Sequence, residues 1–237
     1  MHILLLSATE EEIKDTLAYL DEEWEKKSFW EYQKGDLTIT TLVSGIGPMY
    51  AMYSVTCHPS IKEIDFILNP GIGAALSRTL DLGVVYAIEQ EGFGDVGLEE
   101  SDGTFHNIHQ LGWHDRNKHP FERGIIRPKK LTNPTYLPRA SALTVNKIPG
   151  TYDAIEHFSK SAHADILSTD GAYIYFAAKM MNINVFSYKV TSRYVEPWLK
   201  QIPHHEGCVE QLNMRTIDIL KELLKTDKNE ESTMLFR

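Results

Sequence analysis

Two apolar runs that each lead into glycine constrain this chain more than any other feature of its sequence. Ile64, Phe66, Ile67 and Leu68 make a run with no polar face, which is the pattern of a buried parallel strand. Asn69-Pro70 is expected to end that strand, since proline brings no N–H to a ladder. Gly71 and Gly73 then let the backbone turn tightly and approach something small. A second run, Gly83 to Ile88, leads into an acidic, glycine-spaced loop. Strands that end in glycine-rich loops build ligand crevices at the carboxyl ends of open α/β sheets. The pattern predicts a small-molecule site and leaves the molecule open.

The rest of the chain alternates in the same way. His2 to Ser7 reads as the first strand, and Thr9 as the cap of a helix whose Ile13, Leu17 and Leu20 share one face. Phe29 to Gln33 and Leu37 to Val43 flank Lys34-Gly35-Asp36, a hairpin signal. Ser44 to Pro48 is a glycine turn into a helix over about Met49 to Cys57. Residues 106 to 140 hold four histidines, several aromatics and several prolines, and predict a long excursion serving as a lid or an oligomer surface. Short strands are expected at Ala142–Asn146 and Asp165–Leu167, helices at Thr151–Lys160 and Asp170–Met181, and a last strand at Val185–Thr191. Val209, Leu212, Thr216, Leu220 and Leu223 mark an amphipathic C-terminal helix. No repeat or linker interrupts this series, so the expectation is one α/β domain over 1–225 and a charged tail over 226–237.

Charge narrows the partners. With 24 basic and 33 acidic residues the net charge is −9, so no excess of cations exists to replace counterions on a nucleic acid or an anionic membrane. Arg127, Lys129 and Lys130 form only a short basic patch, read as solvated. Cys57 and Cys208 are far apart and fit a reducing compartment without a disulfide framework. No apolar run reaches the ~18 residues of a membrane span. The apolar start at Met1–Leu6 is followed at once by Glu10, Glu11 and Glu12, which reads as a strand and not a signal peptide, with the cytoplasm as the expected compartment.

Several residues carry two readings. Glu12 completes a Thr9-x-x-Glu12 capping box, and it is also a carboxylate at the carboxyl end of the first strand, able to take a proton from water. Asp170, in Ser168-Thr169-Asp170-Gly171, is either a helix cap or an acceptor for a sugar diol. His106, His109, His114 and His119 match no compact zinc spacing and read as a polar loop, so no metal site is expected. The paired glycines at 45/47 and 71/73 lack both the P-loop Lys-Ser/Thr and the third glycine of a dinucleotide fingerprint. No G-x-S-x-G elbow is present.

Taken in order, ATEEE, SGIGP, NPGIGAAL, LGVVYAIEQEGFGDVG, TVNKIPG, STDGAYIYFAA and VTSRYVEP resemble the purine nucleoside phosphorylase and nucleosidase superfamily along nearly the whole chain. GFGDVGLEESDGTF, TVNKIPG and SRYVEP are most similar to the futalosine hydrolase family. The resemblance implies a three-layer α/β/α domain around a mixed, partly barrel-like sheet. It implies hydrolysis of an N-ribosidic bond through an oxocarbenium-like state, with no metal or organic cofactor and with a homodimer as the assembly. Glu12 then matches the water-activating carboxylate, Ile72 and Gly73 the floor of the sugar site, and Asn146 and Ile148 the border of the base. Thr169 and Asp170 match the family's ribose-binding triplet, with Asp170 in place of Glu. Ser192 and Arg193 match its leaving-group segment, with arginine in place of Asp or Asn. An arginine stays protonated, so Arg193 either donates to the departing purine or fills its pocket. Trp198 matches the family's tryptophan. The first arginine of the chain is Arg78, far from the first strand, so water is the implied nucleophile and not phosphate. The implied reaction is futalosine to hypoxanthine and dehypoxanthine futalosine, in menaquinone biosynthesis. The alternatives are a methylthioadenosine/adenosylhomocysteine nucleosidase and a nucleoside-binding protein that has lost catalysis.

Overall fold

The strand expected to stop at Pro70 does not stop there. The computed structural model describes residues 1–129, 133–161, 164–197 and 204–227. Among these its strands are β1 (His2–Ser7), β2 (Glu25–Lys26), β3 (Glu31–Lys34), β4 (Leu37–Val43), β5 (Phe66–Ala75), β6 (Val85–Phe93), β7 (Gly97–Glu99), β8 (Phe105–Asn107), β9 (Arg139–Thr144), β10 (Ile166–Ser168) and β11 (Asn184–Tyr194). The helices are α1 (Lys14–Glu23), α2 (Pro48–Thr56), α3 (Tyr152–Ser161), α4 (Gly171–Met180) and α5 (Cys208–Asp227). Thus β5 runs straight through Pro70, Gly71, Ile72 and Gly73.

The reason lies in the partners of β5. Nine strands form one sheet in the order β10-β9-β6-β11-β5-β1-β4-β3-β2, and β10 also pairs with β5. The ring β5, β11, β6, β9, β10 therefore closes, and β1, β4, β3 and β2 extend from it as an open arm. One edge of β5 is paired with β11 from Phe66 to Ala75. The other edge changes hands: β1 holds Phe66 to Leu68, and β10 holds Ala74 and Ala75. Asn69 to Gly73 have no strand on that edge. N–H groups alternate sides along a strand, so the nitrogen of Pro70 faces the same way as the N–H of Ile72. That N–H points at Glu12, on the β1 side. Pro70 thus turns its missing donor toward the vacated edge and removes no ladder bond.

The layers follow from alternation along the buried strands. Ile3 and Leu5, with Phe66, Leu68, Phe186 and Tyr188, pack against Leu20 of α1 and Leu212, Ile219, Leu220 and Leu223 of α5. Leu4 and Leu6, with Ile67 and Val185, pack against Ala51 and Val55 of α2 and Ile174 and Ala177 of α4. Each fully buried Leu or Ile is worth about 1.5–3 kcal/mol. The result is the three-layer α/β/α arrangement with a mixed sheet partly closed into a barrel.

Other boundaries move for identifiable reasons. The strand expected over Gly83 to Ile88 runs longer, because β6 continues beyond Ile88 to pair with β9 as far as Phe93, where the acidic loop begins. Glu91 is therefore a strand residue, and it is fully buried. β3 begins at Glu31, leaving Phe29 and Trp30 exposed, with ring centroids 4.9 Å apart. His109 and His114 lie in a loop, where their rings pack edge-on against Phe121 at 4.8 and 5.1 Å. Arg127 is half-buried and donates to Gln90 Oε1 at 2.7 Å, so it is not simply solvated. Trp198, Lys130 and residues 228–237 of the expected tail lie outside the described residues.

Candidate active site

The unpartnered stretch of β5 is where the candidate residues gather. Glu12 lies in the single 3-10 turn Glu11–Ile13 that follows β1, and it is 7% exposed. The capping-box reading is realised in its hydrogen bonds. Oε2 accepts from the Thr9 N–H at 3.0 Å, and the Glu12 N–H donates to Thr9 Oγ1 at 3.4 Å, the reciprocal bonds of a capping box. Oε2 also accepts from the Ser7 hydroxyl at 2.8 Å. Oε1 reaches across the gap and accepts from the Ile72 N–H at 3.0 Å. Three donors from β1, its turn and β5 fix one carboxylate where two strands part.

Asp170 ends the β10-to-α4 turn and occupies the N-cap position of α4, yet its side chain makes no capping bond. It lies instead beside the ammonium of Lys189, with Nζ at 3.0 and 3.2 Å from its two oxygens. Both partners are buried, with side-chain exposures of 1% and 5%. Of the two sequence readings of Asp170, capping is therefore the one its side chain does not fulfil. Lys189 comes from the middle of β11, opposite Gly71 of β5. A side chain at position 71 would force Lys189 to shift, since a Cβ there would stand 2.5 Å from Lys189 Nζ. Burial works to lower the Lys189 pKa. Asp170, then Glu12 and Glu91, outweigh that effect and leave it raised.

Glu91 completes the buried charge cluster from below. Its Oε2 accepts from Thr144 Oγ1 at 3.3 Å, and its Oε1 has no partner. Thr144 Oγ1 in turn lies 3.0 Å from Ser168 Oγ and accepts from the Ala172 N–H at 2.7 Å. The carboxyl packs so closely under α4 that a Cβ on Gly171 would meet Oε1 at 1.9 Å. Desolvation, against which the charge of Lys189 acts only in part, pushes Glu91 up to about 8. Burial thus favours its protonated form at neutral pH.

The other expected site residues have the following surroundings. Gly73 accepts from the Ser192 hydroxyl at 3.2 Å, and Ser192 is buried. Thr169 is half-buried beside Asp170. Asn146 is exposed and held by Asp95, which takes its N–H at 2.5 Å and its Nδ2 at 3.1 Å. Ile148 is on the same exposed loop. Arg193 Nη2 lies 3.3 Å from His204 Nε2, just past a register shift in β11. Lys189, Glu91 and Asp95 were missed in the sequence. Ser187, Lys189 and Thr191 alternate with Phe186, Tyr188 and Val190, so in sequence Lys189 reads as part of a polar, outward face and gave no signal of burial.

No protein-family model matches the chain, and no curated protein matches it in sequence. Solved structures do match. The 5'-methylthioadenosine/S-adenosyl homocysteine nucleosidase of Campylobacter jejuni aligns at a TM-score of 0.75 and 18% identity, over 95% of this chain and 99% of that one. Native futalosine hydrolase of Helicobacter pylori aligns at a TM-score of 0.73 and 14% identity.

 

That alignment spans 95% of this chain and 97% of the hydrolase. A putative nucleosidase of the first kind from Francisella philomiragia aligns at 0.72 and 18%, over 94% and 98%. At such identities the likeness is one of fold. The chain therefore has the purine nucleoside phosphorylase and nucleosidase fold, the same one that its motifs resemble.

Proposed function

We propose that this protein is a purine nucleosidase that hydrolyses an N-ribosidic bond, with futalosine as its substrate. The observation that carries the reading is Glu12, buried and aimed across the gap in β5 by the Ile72 N–H. Glu12 accepts a proton from water while the water oxygen bonds to C1′ of the ribose. The C1′–N bond breaks, its electron pair leaves with the purine, and solvent returns a proton to the purine nitrogen. Asp170 accepts from the ribose hydroxyls with the lone pairs that Lys189 does not use. Arg193 donates to the departing base and offsets its developing negative charge. Ile72, Gly73, Thr169 and Ser192 border the sugar, and Asn146 and Ile148 the base. Water is the nucleophile in this reading. Arg78, the first arginine in the chain, is engaged elsewhere, paired with Glu196 and 4.5 Å over the Tyr194 ring.

Futalosine rests on the resemblance of GFGDVGLEESDGTF and SRYVEP to that hydrolase family. A 5'-methylthioadenosine/S-adenosylhomocysteine nucleosidase is the second reading, favoured by the Campylobacter jejuni neighbour. The proposal includes a cytoplasmic enzyme that needs no metal or organic cofactor. It also includes a homodimer, motivated by the exposed Met49, Tyr50 and Tyr53 of α2 and the adjoining Ile46. The test is release of hypoxanthine from futalosine by the purified protein, with Glu12→Gln expected to lose about 100-fold or more in rate. Faster release of adenine from methylthioadenosine would move the assignment to the second reading. No release of either base, with a nucleoside raising the melting temperature, would leave a binding protein.

A further inference from the structure

The irregular stretch after β8 encloses a cavity that the nucleosidase reading does not use. Its volume is about 390 Å³, within the range of small-ligand sites. Gly92 of β6, Gly94 just beyond it, Leu143 of β9 and Phe158 of α3 line it together with the loop carrying Arg116 and Arg123. Neither Glu12, Asp170 nor Lys189 lines it.

Two features of the lining act together. Phe105, Ile125, Leu143 and Phe158 make an apolar wall, which favours an organic body over a hydrated inorganic ion. Arg116 and Arg123 share the lining, and no Asp or Glu lines the cavity among the described residues. Neither arginine has an ion-pair partner among those residues, although the chain carries a net charge of −9. The loop that presents them is braced. Gly124 N–H donates to the Arg116 carbonyl at 2.8 Å, and Arg123 N–H to Asn117 Oδ1 at 3.2 Å. Arg116 Nη2 donates to the Arg123 carbonyl at 3.3 Å, which ties one arginine to the other. Arg123 sits at a φ of 58°, a left-handed conformation that a non-glycine residue holds only when its surroundings enforce it.

We infer that this cavity binds a small organic carboxylate, its carboxylate held by Arg116 and Arg123 and its apolar body against Leu143, Ile125, Phe105 and Phe158. A guanidinium fork matches a carboxylate in two parallel hydrogen bonds, and the apolar wall selects acids with an aromatic or branched aliphatic body. The occupant would also bear on the strand end that leads to Asp95, the residue holding the Asn146 loop.

The test is calorimetric titration of the whole chain with phenylacetate, beside 2-phenylethanol as its uncharged counterpart and inorganic phosphate as a bare anion. Phenylacetate should bind one site at least tenfold more tightly than either control. Arg116→Ala and Arg123→Ala should each weaken it tenfold or more, while the circular dichroism spectrum of the unliganded protein stays that of the wild type. Arg116→Lys, which keeps the charge and loses the fork, should fall between. No saturable binding, binding indifferent to both arginines, or phosphate binding as tightly as phenylacetate overturns the inference. The readout is binding and not turnover, so its failure leaves the nucleosidase reading untouched, and the reverse also holds.

Discussion

Replacing Glu91 with glutamine should make this protein more stable, and by an amount that grows with pH. Glu91 is fully buried, and its pKa rises from an ordinary 4.5 to about 8. Because the folded-state value lies above the unfolded one, folding favours the protonated acid. The associated stability is complete below the unfolded value, declines as pH rises from there, and is lost once pH passes the folded value. Each pH unit in that window is worth about 1.4 kcal/mol. Across the whole interval from 4.5 to about 8 that amounts to at most about 5 kcal/mol. Glutamine has a similar shape and does not titrate. The stability of Glu91→Gln relative to wild type should therefore rise by about 3 kcal/mol between pH 5 and about 7.5. Urea unfolding of both proteins at half-unit steps measures it. Parallel stability curves would refute the reasoning, for they would mean that Glu91 is already ionised at neutral pH and held so by Lys189.

Further predictions concern the same cluster and the surface. Lys189→Met should destabilise by about 3–5 kcal/mol, since it leaves Asp170 buried without its cation. Adding Asp170→Leu to it should recover much of that loss in the same unfolding assay, and an additive double variant would contradict the pairing. Gly171→Ala should cost about 1–3 kcal/mol, because its Cβ meets the Glu91 carboxyl. In a Glu91→Ala background that cost should vanish, and an unchanged cost would place the obstruction elsewhere. Tyr53→Glu, on the exposed face of α2, should convert a dimer to monomers in sedimentation velocity. A wild-type monomer would remove that surface from the proposal.

Local pattern carried the individual elements and stopped where partners distant in sequence decide. β1 was legible because His2–Ser7 is apolar and followed at once by charge. The extent of β5 was not legible. The rule that proline ends a ladder holds for an edge that has a neighbour, and at Pro70 the neighbour has left, which depends on where β1 stops and β10 arrives. The same limit hid Lys189 and Glu91. A single charge in a strand reads as a solvent-facing position. Here Lys189 faces inward because Asp170 lies beside it, and Glu91 does so by staying protonated. Glu12 was legible because the end of β1 and the capping pattern coincide on it. Asp170 stayed divided between two readings because a residue at an N-cap position looks the same in sequence whether or not its side chain caps.

The gap in β5 ties fold and site together, and one atom tests the tie. A strand that exchanges β1 for β10 on one edge must leave N–H groups between them without a ladder partner. Pro70 removes one such donor, and the carboxylate of Glu12 takes the Ile72 N–H at 3.0 Å. Closing the barrel therefore creates the donor that orients the proposed base. Replacing the Ile72 amide with an ester, by incorporating the corresponding α-hydroxy acid, deletes that N–H and keeps the side chain. A hydrogen bond to a charged group is worth about 1.5–3 kcal/mol, so stability should fall by that amount. Turnover should fall further than binding, since Glu12 loses the bond that aims it across the gap, and a misplacement of about 1 Å can cost about 100-fold in rate. The same ester at Leu42, on β4, should cost stability without a selective loss of turnover. An Ile72 ester that leaves kcat at the wild-type value would break the link between barrel closure and the placement of Glu12.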